Sequence, residues 1–461
     1  MEQQRYLRCL GQPALFTAAG EPVRFRTRKH LALLVYLAVE QRTQRRDRVA
    51  ELLWPRASAN EARHSLATAL SVLRPRVGID ALETSRDQVR LMPGRVTLDL
   101  ERLRAGDVLG TEVTGPLEVA AFLDGFDIND SAEFTHWKDQ QQARLLPIIK
   151  DAMLVLIDRC RRTGDTRQIE QVADRMLALD ELSEEAIRAK MEARAFAGDR
   201  LTALEIFEAW KKKLAEELQA VPSDLVEGIA VRLRRRGWER TTLANIPNVP
   251  TDQWRGRPFV GRTAEYKALY EQWEATKLGT SSHALVLGDS GIGKTTLVQR
   301  LTTAAALEGA AISRVQSYDL EREIPYSTLS GLVLGLLDCP GVSATSPEAL
   351  AEISRTVLEV SHRFPYLPPV SETRGETARI RLTDAIIQLL QAIAEEHPVI
   401  LVLDDLHLAD EVSLGVLHLV MRRAQGTPVM VVMIARGGEL TESSQAVRFR
   451  ESARPFTIRE I

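Results

Sequence analysis

Gly288, Gly293, Lys294 and Thr295 follow the apolar run Ala284-Leu-Val-Leu287 and open a helical pattern, spaced Gly-x-x-x-x-Gly-Lys-Thr. Residue types in that order suit the binding of phosphate. Glycines let consecutive backbone N–H groups curl around anionic oxygens at a helix N-terminus. Lys294 can then reach the β- and γ-phosphates and the Thr295 hydroxyl can ligate Mg²⁺, with Gly291 and Thr296 completing the cradle. A second apolar run, Pro398 to Leu403, ends in Asp404-Asp405. Asp404 is the candidate carboxylate for Mg²⁺ and Asp405 the candidate for orienting or activating a water. Arg436, at the end of the apolar run Pro428 to Ala435, is placed to sense a γ-phosphate. Alone, two aspartates after a strand read as a turn or cap, and an arginine at a strand end as solvated. The phosphate loop about a hundred residues upstream favours the chemical reading. ATP and Mg²⁺ are the expected cofactors, and slow hydrolysis of ATP is the reaction these groups suit.

Those residues need an α/β scaffold, and from residue 256 to 461 the sequence alternates strand, loop and helix in the required way. Residues 239–255 lack periodicity, carry two prolines and read as a linker. Residues 110–238 are almost wholly helical in pattern. Within them Gly164-Asp165 and Gly198-Asp199 recur at the tetratricopeptide period, with Val172, Ala173 and Met176 matching Ile206, Phe207 and Trp210. In residues 1–104 the order is strands, helix, short helix, long helix and hairpin, which is that of a winged helix-turn-helix. The expected fold class is thus multidomain, α+β and α/β. It combines a winged helix-turn-helix, an all-α tetratricopeptide-like domain and a phosphate-loop NTPase core.

The third helix of the first segment runs from a capping-box pair, Ser58 and Glu61, to Pro75, which is expected to stop it. Ala62, Leu66, Ala69, Leu70 and Leu73 form one face; Asn60, His64, Thr68 and Ser71 form the other, flanked by Arg63 and Arg74. The 461-residue chain has a net charge of −3, yet residues 1–104 hold 19 Lys and Arg against 11 Asp and Glu, a net +8. A basic front on an acidic body suits a polyanionic partner, although a merely solvated basic surface explains the charge equally well. In a third helix before a hairpin, Arg63, His64, Thr68, Ser71 and Arg74 become candidates for DNA base edges or phosphates. Arg86, Arg90 and Arg95 become candidates for backbone contacts from the wing. Cys9, Cys160 and Cys339 lie far apart, which implies neither a disulfide framework nor a metal site. No leader pattern and no uninterrupted apolar run of about 18 residues occurs, so a cytoplasmic protein with no membrane segment is expected.

Residues 1–238 resemble the SARP-type regulators, the Streptomyces antibiotic regulatory protein family: a winged helix followed by a bacterial transcriptional activation domain. The likeness rests on Arg28-Lys29, Leu52-Leu-Trp-Pro55, Ala62-Arg63 to Leu66, Leu70 to Arg74, Phe122 to Phe126, Glu133 to Trp137, Ala197-Gly-Asp199 and Leu214 to Leu218. Residues 256–461 are similar to the AAA/STAND-type ATPases of large regulators through Phe259-Val-Gly-Arg262, the phosphate loop, Arg379 to Asp384 and Leu403 to Asp410. The resemblance implies promoter DNA and RNA polymerase as partners, a homodimer or oligomer on direct repeats, and Val260 and Gly261 in the adenine pocket. Relatives continue into a lid and further domains, so the ATPase is expected to be incomplete at its C-terminus. Another reading is a STAND-like signalling NTPase whose basic front binds a protein.

Overall fold

A computed structural model describes residues 5–110, 117–234, 261–370 and 376–442, together with Val447, Phe449 and a strand at 458–460. It divides into two compact units, Met1–Asp158 with Gln171–Ser183, and Arg159–Glu170 with Glu184–Ile461. The expected linker 239–255 lies outside the described residues.

The first unit is built on a small sheet in which β1 (Arg5–Arg8) lies between β2 (Ala14–Phe16), antiparallel to it, and β7 (Val96–Leu98), parallel to it, with β3 (Pro22–Val23) at the edge. Asp99, just after β7, locks this arrangement. Its carboxylate is 1% exposed and accepts the N–H groups of Cys9 and Leu10 at 2.7 Å each and of Leu100 at 2.9 Å. Burial outweighs those three donors and pushes its pKa up to about 6.

Three helices, α1 (Arg28–Glu40), α2 (Arg46–Leu53) and α3 (Ala59–Val77), pack on one another. Leu33, Leu34, Leu37, Val49, Leu53, Leu66 and Leu73 are fully buried among them, as the 3.6-residue period of apolar positions requires. The capping box forms as expected: Ser58 Oγ accepts the Glu61 N–H and the Glu61 carboxylate accepts the Ser58 N–H at 2.9 Å. The helix does not stop at Pro75, however, but runs on to Val77 and ends at Gly78. A proline in the last turn removes a single N–H, and a tertiary contact is enough to offset that. Here buried Val77 supplies the contact, and the left-handed φ of +113° at Gly78 ends the turn.

The segment expected to form one hairpin divides in two. β5 (Leu82–Thr84) and β6 (Gln88–Leu91) make the hairpin, β4 (Gln44–Arg45) adds a third strand to it, and β7 leaves for the N-terminal sheet. Residues beyond α4 (Asp99–Arg104) return to this unit. The Leu123 N–H reaches the Cys9 carbonyl at 2.8 Å, and Trp137 Nε1 donates to Glu40 at 2.9 Å while its ring meets Tyr36 edge-on.

Five helices follow: α5 (Ala132–Thr163), α6 (Thr166–Leu179), α7 (Glu184–Phe196), α8 (Arg200–Leu218) and α9 (Asp224–Arg234). The two Gly-Asp turns have the same build. Gly164 and Gly198 take φ of +71° and +78°, and the following Asp165 and Asp199 carboxylates accept the N–H groups of Gln168 and Thr202. The repeat therefore encodes a left-handed helix stop followed by an aspartate N-cap.

In the second unit a parallel sheet has the order β12-β8-β11-β10-β9, with β8 (Ser282–Leu287), β9 (Ala311–Gln316), β10 (Val399–Asp404), β11 (Val429–Ala435) and β12 (Ile458–Glu460). The inner strands are mostly apolar because both faces are covered, the exceptions being Ser282 and His283 at the start of β8 and Asp404 at the end of β10. Tyr266, Leu269 and Trp273 of α10 (Thr263–Lys277) cover one face with Leu297, Val298 and Leu301 of α11 (Lys294–Leu307). The other face lies under α12 (Ser327–Leu336), α15 (Glu376–Ala394) and α16 (Glu411–Arg423). Among the described residues no helix is long and apolar enough to cross a membrane.

Candidate functional site

The phosphate loop joins β8 to α11, as the alternation of apolar run, glycines and helix start dictates. Gly288, Gly291 and Gly293 take φ of +157°, +81° and +96°, a region that glycine alone visits freely. A Cβ built on Gly288 would meet Ile292 Cδ1 at 2.1 Å, whereas the same atom on Gly291 or Gly293 meets open space. Lys294 curls back over the loop, its ammonium donating to the carbonyls of Gly288 and Asp289 at 2.8 Å each. Thr295 is exposed at the helix start and Thr296 is half-buried beside it.

Strand parity decides what faces the loop. On β10, Ile400 and Val402 pack under α10 and α11, so Asp404 shares their side; on β11, Met430, Val432 and Ile434 do the same, and Arg436 follows directly after that strand. Asp404 is 6% exposed, and Thr295 Oγ1 lies 3.4 Å from its Oδ2. The chain turns at Asp405, whose φ of +54° is left-handed, and its carboxylate accepts from Gln316 Nε2 at 3.1 Å. Arg436 is held by Glu439 at 2.7 Å, a pairing that raises its pKa. Glu439 also reaches buried His407 Nε2 at 2.5 Å. Gly261, with φ of +84°, stands just ahead of α10; Val260 lies outside the described residues.

Sequence reasoning missed Arg314, Gln316, Glu439 and His407. Arg314 Nη2 bonds Asp404 Oδ2 at 2.5 Å and Gln316 stands opposite Asp404 in the β9–β10 register. A usable signal was present: Arg314 and Gln316 alternate with Ile312 in an otherwise buried strand, Ala-Ile-Ser-Arg-Val-Gln.

In the first unit Asn60, Arg63, His64, Thr68, Ser71 and Arg74 are all exposed along α3. They are not all free. Arg63 Nε pairs with Asp47 of α2 at 2.7 Å, Ser71 Oγ donates to the Thr68 carbonyl, and Arg74 donates to Thr84 Oγ1 at the base of the hairpin. Arg86 sits exposed in the hairpin turn, and Arg90 is half-buried on β6 with no partner for its Nε among the described residues. Arg95 is not on the hairpin as expected. It lies in the connection from β6 to β7, because β7 pairs with β1.

Residues 125–234 match the bacterial transcriptional activator domain, and residues 258–432 match the AAA ATPase domain. No curated protein matches the chain. Among solved structures the chain is similar to Mycobacterium tuberculosis EmbR in complex with a low affinity phosphopeptide. The identity is 18%, over 59% of this chain and 72% of that one, with a TM-score of 0.37. It is also similar to the Aeropyrum pernix ORC1 protein in complex with DNA, at 20% identity over 48% of each chain, with a TM-score of 0.26. The chain thus joins a bacterial transcriptional activator domain, the domain of the SARP-type activators it resembles, to an AAA ATPase domain.

Proposed function

We propose that the protein binds promoter DNA sequence-specifically through α3 and the β5–β6 hairpin, recruits RNA polymerase, and is modulated by ATP in its AAA domain. Residues 1–104 act as a winged helix, 110–238 as a tetratricopeptide-like activation domain and 256–461 as the nucleotide domain of a cytoplasmic regulator. The observation that carries the reading is the exposed polar face of α3 beside an exposed hairpin. A helix whose outer face holds Arg63, His64, Thr68 and Ser71 offers donors to base edges, and Arg74, Arg86, Arg90 and Arg95 offer charge to phosphates.

For the nucleotide, the glycine loop supplies N–H donors and Lys294 a cation for the β- and γ-phosphates, with Gly261 and Val260 toward the adenine. The donor set fits Mg²⁺: Thr295 Oγ1 and Asp404 Oδ2 are hard oxygens 3.4 Å apart, and Mg²⁺ takes few protein ligands beside phosphate oxygens. The metal would supply charge neutralisation at the phosphates. Asp405, steadied by Gln316, would orient a water, and Arg436, released from Glu439, would sense the γ-phosphate. Binding of ATP shifts activity only as far as it favours one arrangement of the chain over another.

Footprinting across genomic fragments with and without ATP and Mg²⁺, repeated with Lys294→Ala, tests the reading. Sequence-specific protection that changes with nucleotide in the wild type and ceases to change in the variant is expected. Absence of any protected DNA would replace it with a signalling NTPase whose basic front binds protein. Protection and activation insensitive to Lys294→Ala would leave the ATPase domain without a regulatory role.

A further inference from the structure

Asp404, the carboxylate placed to hold a divalent cation, already has a cation on it. Arg314 Nη2 sits 2.5 Å from Asp404 Oδ2, the same oxygen that Thr295 Oγ1 approaches at 3.4 Å, while Oδ1 takes the Asp405 N–H at 3.1 Å. Both partners are nearly dry, with side chains 7% and 8% exposed. The guanidinium is fixed from its other side too: Nη1 donates to Gln299 Oε1 at 3.0 Å, on the helix that follows the phosphate loop. Its Nε finds no partner among the described residues.

Two physical points follow. A desolvated carboxylate stripped of its partner is costly, so Asp404 keeps Arg314 unless another cation replaces it. A divalent ion entering beside Arg314 would face a like charge within a few ångströms, at a depth where salt screens little.

Resting on the nucleotide reading above, we infer that Arg314 is a resident counter-cation for Asp404. It supplies at this carboxylate the positive charge that a bound metal would bring, so that the triphosphate meets a neutralised Asp404 before any metal arrives. Mg²⁺ gains the Oδ2 lone pairs only when the guanidinium turns away, and nucleotide binding by this chain depends weakly on free metal. Removing the guanidinium exposes a bare carboxylate to the triphosphate, which then requires Mg²⁺ to bridge the two.

The test is binding of a fluorescent ATP analogue to the intact chain, titrated once in excess EDTA and once in millimolar Mg²⁺. For the wild type the two Kd values are expected to agree within about threefold, whereas Arg314→Gln is expected to bind at least about tenfold more weakly in EDTA than in Mg²⁺. Arg314→Lys, which keeps a charge, is expected to resemble the wild type. A wild type that loses about tenfold or more in EDTA, or an Arg314→Gln variant with the wild-type metal dependence, overturns the inference. Should Arg314→Gln melt far below the wild type, the wild-type ratio and Arg314→Lys decide the matter. A wild type that binds no analogue in either buffer sinks the nucleotide reading itself, and the inference with it.

Discussion

If α3 and the hairpin lie against duplex DNA, the affinity must fall steeply with salt, and the structure says by how much. Five arginines are candidates for phosphate: Arg63, Arg74, Arg86, Arg90 and Arg95. Among them Arg63 is ion-paired with Asp47 at 2.7 Å and Arg74 donates to Thr84. Counting four to five neutralised phosphates at about −0.9 each gives a slope of log K against log salt of roughly −3.6 to −4.5, or about 150- to 500-fold weaker binding at 200 mM than at 50 mM salt. Fluorescence anisotropy of a labelled fragment recovered by footprinting measures this directly. Two substitutions sharpen it in opposite senses. Arg86→Ala removes an exposed cation from the hairpin turn and should flatten the slope by about 0.9 while leaving sequence preference intact. Asp47→Ala frees Arg63 and should steepen it by up to about the same amount. His64→Ala with Thr68→Ala should instead alter preference with little change of slope, because neither residue carries a fixed charge. A wild-type slope shallower than about −1, or a slope unmoved by Arg86→Ala, would refute the placement of this surface on DNA.

Three further outcomes are expected from the buried polar groups and the cap. Asp410 is 2% exposed and its carboxylate accepts the N–H groups of Tyr326, Thr328 and Ser413. Asp410→Ala orphans those buried donors and should cost about 3 kcal/mol or more, read as a lower urea midpoint for the ATPase core. Ser58→Ala removes the N-cap of α3 and should cost about 1 kcal/mol, read in the melting of the first unit. His283 lies buried on β8 and its pKa is pushed down from 6.5 to about 4, chiefly by desolvation. Between those values the unfolded chain binds the proton and the folded chain does not. Stability present above pH 6.5 should therefore fall by about 3 kcal/mol as the pH drops to about 4. Melting curves across that range should flatten in His283→Gln, and an unchanged pH profile would discount the burial argument.

What could be read along the chain was whatever local chemistry enforces. Ser58 and Glu61 are three residues apart, so their reciprocal bonds need only one turn of helix. Gly288 to Thr295 form a loop whose glycines are demanded by its own backbone, and the two Gly-Asp turns each require only a left-handed glycine and an adjacent cap. The buried strands Val399–Asp404 and Val429–Ala435 announce themselves as unbroken apolar runs. Pro75 shows the limit of such reading: its local preference against helix was overridden by the burial of Val77 and the stop at Gly78. Arg95 shows another, since a strand's partner is chosen by the sheet, and β7 pairs with β1 some ninety residues away.

The phosphate site divides in the same way. The glycines, Lys294, Thr295, Asp404 and Asp405 are legible because the loop and the strand tip each carry their own pattern. That Arg314 neutralises Asp404, that Gln316 steadies Asp405, and that Glu439, three residues from its partner Arg436, also reaches His407 are decided by tertiary structure alone. The first two follow from β9 lying beside β10 in a register that sets Gln316 against Asp404. One residue of slip would turn Arg314 to the other face of the sheet, away from the carboxylate it now neutralises.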